Sequence, residues 1–162
     1  MITIRPYAPD DFDRTVALLR QLQQHLANGD PSIACSSDYG PEEMRGYLKD
    51  ADEANGATFV AEEDGAMVGF VQGVIWKHDD AAYMRAHAQA AIDGWVGLLV
   101  VDPEHRSQGT GKALLERMEQ YFSENGCRRC RIKVSAYNEL ARTFYANRGY
   151  KEWDVEVGKH LA

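Results

Sequence analysis

The stretch that decides the fold runs from Val100 to Lys112 and reads VVDPEHRSQGTGK. An apolar strand ends at Asp102, and the glycines Gly109 and Gly111 then precede an amphipathic helix. The first turn of a helix has backbone N–H groups without intrahelical partners, and together with the positive end of the helix dipole they bind anions. The stretch therefore predicts a strand–loop–helix that holds a diphosphate.

Each residue type in this loop has a predicted role. Arg106 offers a charge-assisted contact to a phosphate, and the glycines let phosphate oxygens approach the backbone without a Cβ in the way. A P-loop needs Ser or Thr after the lysine, where this chain has Ala113, and a dinucleotide fingerprint needs a third glycine, where it has Leu114. A tight loop that merely tolerates glycine stays open as an alternative. The predicted ring of backbone amides is Gln108, Gly109, Thr110, Gly111 and Lys112.

A second motif, NELARTFYANRGY, occupies residues 138–150. Asn138 is a favoured N-cap type at the start of the predicted helix. Gly149 suits the position just past its end. The motif therefore predicts a short, well-delimited helix that carries Tyr145.

Outward from these motifs, hydrophobic spacing and turn residues predict the remaining elements. Their order indicates a mixed α/β fold, antiparallel early and β-α-β late, in a single domain over residues 1–162. The predicted strands are 2–7, 57–61, 67–76, 95–101, 128–135 and 150–157, and the predicted helices are 9–29, the segment from Pro41, 109–125 and 139–148. An alanine-rich insertion, 77–91, is expected to be a short helix or a flap.

Charge and composition exclude several classes of protein. Eighteen basic against 25 acidic residues give a formal net charge of -7, which argues against nucleic-acid binding and mildly favours a cationic or amine-bearing ligand.

No apolar run approaches the roughly 20 residues of a membrane span, and no secretory signal is recognised, so a cytoplasmic location is expected. Cys127 and Cys130 form a C-x-x-C without a second metal-binding pair, so structural cysteines and no metal are expected.

The two motifs resemble those of the GNAT superfamily of N-acetyltransferases, and the resemblance covers essentially the whole chain. It implies a central mixed, mostly antiparallel sheet of six to seven strands flanked by about four helices. It also implies acetyl-CoA as co-substrate, with the segment 106–111 on its pyrophosphate. Leu99, Val100 and Val101 would splay from the neighbouring strand and bind pantetheine through backbone groups. Asn138 would contact the cofactor arm, and Tyr145 would donate a proton to the CoA sulfur.

The chain departs from the resemblance at the general base. Members of the family often carry Glu or Asp about two residues before the Leu-Val-Val run, where this chain has Gly97 and Leu98. The alternatives that stay open are Asp93, His78, Asp79, Asp80, His87 and a chain of water molecules. Tyr39, Trp76 and Trp95 are predicted to form an aromatic wall for a cationic acceptor, with ordinary core aromatics as the competing interpretation.

Three functions are compatible with these patterns. The first is direct transfer of acetyl to a primary amine of a small molecule. The second is acetylation of a protein N-terminus or lysine. The third is a non-catalytic acyl-CoA sensor, because the usual base is absent. Formation of a homodimer is left open by the sequence.

Overall fold

The computed structural model describes residues 1–29, 33, 39–77, 92–153, 155 and 157. In this part of the chain, five strands form one sheet in the order β1-β2-β3-β4-β5. Neighbours among the first four strands are antiparallel, and β5 is parallel to β4. The strands are β1 (Ile2–Pro6), β2 (Ala57–Glu63), β3 (Ala66–Lys77), β4 (Ile92–Val101) and β5 (Arg129–Ile132).

Four α-helices flank the sheet in the described part of the chain, in line with the about four that the resemblance implies. Proline occupies the first helical position of α2, where a missing N–H costs nothing. The helices are α1 (Phe12–Gly29), α2 (Pro41–Glu53), α3 (Thr110–Glu124) and α4 (Glu139–Ala146). Short 3-10 turns, Pro9–Asp11 and Pro103–His105, precede α1 and the loop before α3.

Two apolar cores lie on opposite faces of the sheet, because strand side chains alternate between faces. On one face α3 packs with Leu114, Met118 and Phe122 fully or almost fully buried. On the other face α1 and α2 pack through Leu18 and Met44. The sheet is therefore covered on both sides.

A bulge interrupts the pairing of β3 with β4. Gln72 stands opposite Leu98 and Gly73 opposite Val96, so Gly97 has no partner in β3. A bulge of this kind adds one residue to one strand and re-aims the side chains around it. It lies at the position where the resemblance implies a general base.

The mixed α/β, mostly antiparallel fold is confirmed, but the sheet has five strands in the described part of the chain rather than six to seven. The predicted last strand, 150–157, is wrong for its described residues: 150–153, 155 and 157 are outside any strand. Trp153, Val155 and Val157 alternate as in a strand, yet they are 64%, 77% and 88% exposed. Alternation stabilises a strand only where one face is buried.

Several predictions fall outside the described residues. These are the insertion beyond Lys77, with His78, Asp79, Asp80 and His87, and most of the loop between α1 and α2. No helix in the described part of the chain combines the length and the apolar character needed to cross a membrane.

Candidate active site

The parallel strands β4 and β5 are paired over only part of their length. Their register runs from Asp93 opposite Arg129 to Val96 opposite Ile132. β4 continues to Val101, so its segment 97–101 has no β5 residue beside it. Leu99 and Val101 are half-buried along this gap, and Val100 points to the other core, 3% exposed. A strand edge without a neighbour presents backbone N–H and C=O groups to a ligand.

The residues predicted to bind a diphosphate lie at the start of α3. Gly109 is the N-cap, with φ of 91°, in the left-handed region that favours glycine. The first bond that closes the helix runs from the Ala113 amide to the Gly109 carbonyl, 2.9 Å. The amides of Thr110, Gly111 and Lys112 precede that bond and have no backbone partner among the described residues, as is usual in the first turn of a helix. No atom of the described residues lies within 4 Å of the position that a Gly109 side chain would occupy.

Gly111 has a different environment from Gly109. A Cβ at this position would be 3.5 Å from both a Val101 methyl and the Phe144 ring, which is ordinary contact. The first turn of α3 therefore packs between the end of β4 and helix α4. This packing brings the two sequence motifs together. Gly109, rather than Gly111, is the position that requires glycine, because its φ of 91° is left-handed.

Ion pairs and hydrogen bonds hold the loop between β4 and α3. The Arg106 Nε donates to the Val101 carbonyl at 3.2 Å, while Gln108 is exposed. The Asp102 carboxylate accepts from the Glu104 amide at 3.0 Å and pairs with Arg14 of α1. Burial raises the pKa of Asp102, but these two donors outweigh it and hold that pKa below its ordinary value. Arg14 and Asp102 are 88 residues apart, and no local sequence signal predicts their contact.

Tyr145 lies in the core on the α3 face of the sheet and is 7% exposed. Its ring meets those of Phe144 and Tyr150 edge-on, with centroids 5.1 and 5.4 Å apart. Burial, with a smaller contribution from Cys130, raises the pKa of its hydroxyl well above the ordinary value for tyrosine. The hydroxyl therefore keeps its proton at neutral pH.

Asn138 caps α4 as predicted. Its side-chain oxygen accepts a hydrogen bond from the Ala141 amide at 3.1 Å. It also lines a cavity of about 240 Å³ between the C-terminal part of α1 and the loop before α4. The cavity is lined by His25, Leu26, Gly29, Ser135, Tyr137, Asn138, Glu139 and Leu140.

Gln72 fills the place where a base is absent from β4. Its side chain is 1% exposed, and its Nε2 donates to the Tyr47 carbonyl at 2.9 Å. Its Oε1 lies 2.4 Å from the point where a Gly97 side chain would begin. This oxygen is buried and has no hydrogen-bond partner among the described residues. Leaving such an acceptor unpaired costs about 1–3 kcal/mol. Sequence reasoning missed Gln72 because the contact depends on the strand register.

The predicted aromatic wall is divided between two places. Trp76 and Trp95 are adjacent, with ring centroids 6.2 Å apart, and the Arg131 guanidinium lies 5.3 Å from the Trp95 ring. Tyr39 instead packs on the core under α1 and α2, and Tyr47 raises the pKa of its hydroxyl after the larger effect of burial. Among the described residues, the two tryptophans are therefore neighbours, and Tyr39 is in ring contact with neither.

Asp93 does not have the environment of a general base. Its carboxylate is 1% exposed and receives Nε and Nη2 of Arg129 at 2.7 and 2.6 Å. The Arg131 guanidinium adds a third contact at 3.8 Å. Two arginines hold this carboxylate in its charged form and occupy its oxygens.

These features fit an acyl-CoA. A gap between strands leads to Val101, unpaired amides lie at the start of α3 beside it, and the space over Gly109 is open. Among the described residues, no group of three or more His, Cys, Asp or Glu side chains is arranged to hold a metal ion.

Comparison with known proteins agrees with this geometry. The model of the acetyltransferase (GNAT) family matches residues 19–150. Similar solved structures include a GCN5-related N-acetyltransferase from Ralstonia eutropha, with 23% identity, TM-score 0.74 and 99% of each chain covered. Glucosamine-6-phosphate N-acetyltransferase from Arabidopsis thaliana has 20% identity and TM-score 0.68, covering 100% of this chain and 99% of its own.

A third similar structure is AAC(6')-Iy in complex with the bisubstrate analog CoA-S-monomethyl-acetylneamine. It has 17% identity and TM-score 0.72, and the match covers 100% of this chain and 99% of the other. At these identities the solved structures establish the fold, and the family model covers most of the sequence. The chain belongs to the GNAT acetyltransferase family.

Proposed function

We propose that this protein is an acetyl-CoA-dependent N-acetyltransferase that acts on a primary amine of a small molecule. The observation that carries the proposal is the packing of Gly111 against both Val101 and Phe144. Through it, the open β4 edge, the unpaired amides of α3 and the helix that bears Tyr145 adjoin one another. The acidic balance of the chain supports an amine as the acceptor.

The residues have separate tasks in this proposal. The amides of Thr110, Gly111 and Lys112, with Arg106, bind the diphosphate. The segment Leu99–Val101 binds the pantetheine arm through its backbone, as an added strand would pair with a sheet edge. Asn138 contacts the same arm.

Acetyl-CoA supplies the acetyl group as a thioester. The nitrogen–carbon bond to the acceptor forms as the carbon–sulfur bond breaks, and overall one proton leaves the nitrogen and one is gained by the sulfur. Tyr145, which holds its proton because it is buried, donates a hydrogen bond to the sulfur as negative charge develops there. The Trp76–Trp95 pair offers a face for the cationic part of the acceptor.

The proposal is tested by following thiol release from acetyl-CoA against a panel of amines. The panel should contain polyamines, amino acids, amino sugars and short peptides with a free N-terminus or lysine. We expect release well above hydrolysis with at least one small amine. Preferential reaction of the peptides would instead favour a protein acetyltransferase.

Calorimetry with CoA alone separates an enzyme from a sensor. CoA binding together with release at the rate of hydrolysis for every amine would contradict the enzymatic proposal and support a non-catalytic acyl-CoA sensor. No binding of CoA would contradict both.

A further inference from the structure

We propose that the side-chain oxygen of Gln72 accepts a hydrogen bond from the amino group of the acceptor, at the bulge around Gly97. This inference rests on the proposed function and assigns a substrate-positioning residue to it. Its starting point is a buried oxygen that has no partner among the described residues. Buried polar atoms in folded proteins are almost always hydrogen-bonded, so an exception calls for a partner from outside the fold.

The direction of the Gln72 amide is determined by its other contact. Only the nitrogen of the amide can donate, and it donates to the Tyr47 carbonyl at 2.9 Å. The oxygen is therefore directed away from Tyr47 and toward β4, where it lies 2.4 Å from the position of a Gly97 Cβ. Any side chain at residue 97 would displace it.

The approach to this oxygen is through Gly97. The glycine is exposed, although its neighbours Val96 and Leu98 are buried. A donor nitrogen about 2.9 Å from the oxygen has to stay outside van der Waals contact with the Gly97 backbone, so it would lie farther out, on the exposed side of that glycine. The Tyr47 ring, 3.6 Å from the point where a side chain would begin, borders the same space at ordinary contact distance.

A carboxamide oxygen accepts a hydrogen bond but does not take the proton. Gln72 would therefore orient the nitrogen without deprotonating it, and no bond forms or breaks at the side chain. This role requires an acceptor that still carries an N–H donor when it is in place, as a primary amine does. The geometry thus supplies a positioning group where the family often has a carboxylate.

The test compares Gln72→Met with the wild type, since methionine has a similar shape and no strong acceptor. We expect kcat/KM for the amine to fall about tenfold and the KM for acetyl-CoA to change little, while Tm falls by several degrees because the Tyr47 carbonyl loses its donor. Gln72→Glu should recover part of the loss in kcat/KM, because a protonated carboxyl can donate to the Tyr47 carbonyl and keep an oxygen near Gly97. Gln120→Met, at an exposed site on α3, is the matched control and should behave as the wild type.

If Gln72→Met fails to fold, Gly97→Ala tests the same contact from the other strand. The new methyl group would crowd the oxygen at 2.4 Å, so the same loss in kcat/KM for the amine is expected. An unchanged kcat/KM for the amine in a folded variant of either kind would overturn the inference.

A binding measurement separates this inference from the proposed function. Propylamine is titrated into the CoA-saturated wild type and into Gln72→Met, with chemical shifts or heat as the signal. Weaker binding by the variant supports the role of Gln72 even if the wild type acetylates nothing, in which case only the proposed activity fails. Equal affinity in the two proteins contradicts the role of Gln72, whatever the activity.

Discussion

Arg129 forms a two-point ion pair with Asp93 across the one parallel strand pair of the described sheet, with nitrogen–oxygen distances of 2.7 and 2.6 Å. The two residues are direct register partners at one end of the paired segment, and the gap between β4 and β5 begins beyond its other end, at Val96 and Ile132. The Trp153 ring lies 4.7 Å from the same guanidinium. The pair therefore joins the two strands at the end of the paired segment that is remote from the gap.

Asp93→Asn is expected to destabilise the protein by about 3 kcal/mol, because it removes the charged, buried partner of the Arg129–Asp93 ion pair. For a chain of this size that corresponds to a fall in Tm of roughly 6–12 °C. Thermal unfolding followed by circular dichroism measures it. Glu53→Gln, which breaks an exposed pair with Lys49, is the control and should leave Tm nearly unchanged.

The same variant tests the structural interpretation of Asp93. At a temperature where it is fully folded, Asp93→Asn should retain most of its kcat. A folded variant with kcat reduced a thousandfold would instead assign Asp93 to proton transfer.

Gly109 and Gly111 are expected to respond differently to substitution. Gly109→Glu adds a negative charge where the diphosphate is proposed to bind, in a left-handed conformation that costs a side chain about 1–2 kcal/mol. We expect CoA affinity to fall at least tenfold by calorimetry. Gly111→Ala places a methyl group at ordinary contact distance from Val101 and Phe144, so its affinity should stay within about twofold. Equal effects of the two substitutions would contradict the proposed anion site.

Tyr145→Phe is expected to lower kcat by about a hundredfold, the lower end of what a positioned proton donor contributes. The KM for acetyl-CoA should change little, because the ring and its contacts with Phe144 and Tyr150 are kept. Steady-state kinetics at saturating amine measure both. Below about pH 10 the wild-type rate should show no alkaline loss from this hydroxyl, since its pKa is raised. An unchanged kcat in the variant would refute the role of Tyr145.

Stability is expected to fall as pH rises above about 9, partly through Cys130. Burial raises the pKa of its thiol from 9.0 to about 12, against the smaller opposing effect of the Tyr150 hydroxyl. As pH rises, the unfolded chain therefore loses the thiol proton before the folded protein does. The stabilisation that the buried thiol contributes is complete below about pH 9 and is lost progressively toward pH 12.

Between pH 8 and pH 10 the free energy of unfolding is expected to fall by roughly 1.4 kcal/mol through the Cys130 thiol. Urea unfolding of the wild type and of Cys130→Ala at the two pH values measures it, since the difference between the proteins isolates the thiol from the nearby tyrosines. A pH dependence that is identical in both proteins would contradict the assignment.

The parts of the site that depend only on residues close together in the sequence could be predicted from it. A helix start at a glycine and an N-cap asparagine are local features: α3 begins one residue after the predicted start at Gly109, and Asn138 caps α4 as predicted. The contacts of Gln72 with Gly97 and of Arg14 with Asp102 depend on strand register and on packing across the chain. The last strand was mispredicted because Trp153 and Val155 alternate in the same way whether or not a core lies beneath them.

The pairing of β3 with β4 would be regular if β4 lacked Gly97. Val96 belongs to the core beneath α3, while Leu98 and Val100 belong to the core beneath α1 and α2, and Leu99 and Val101 return to the first. This is the alternation of an uninterrupted strand from which Gly97 has been left out. Removal of that single glycine would restore the regular alternation and leave each apolar side chain of β4 on the core that it now faces. It would also remove the exposed backbone beside the Gln72 oxygen, so packing alone does not account for the extra residue.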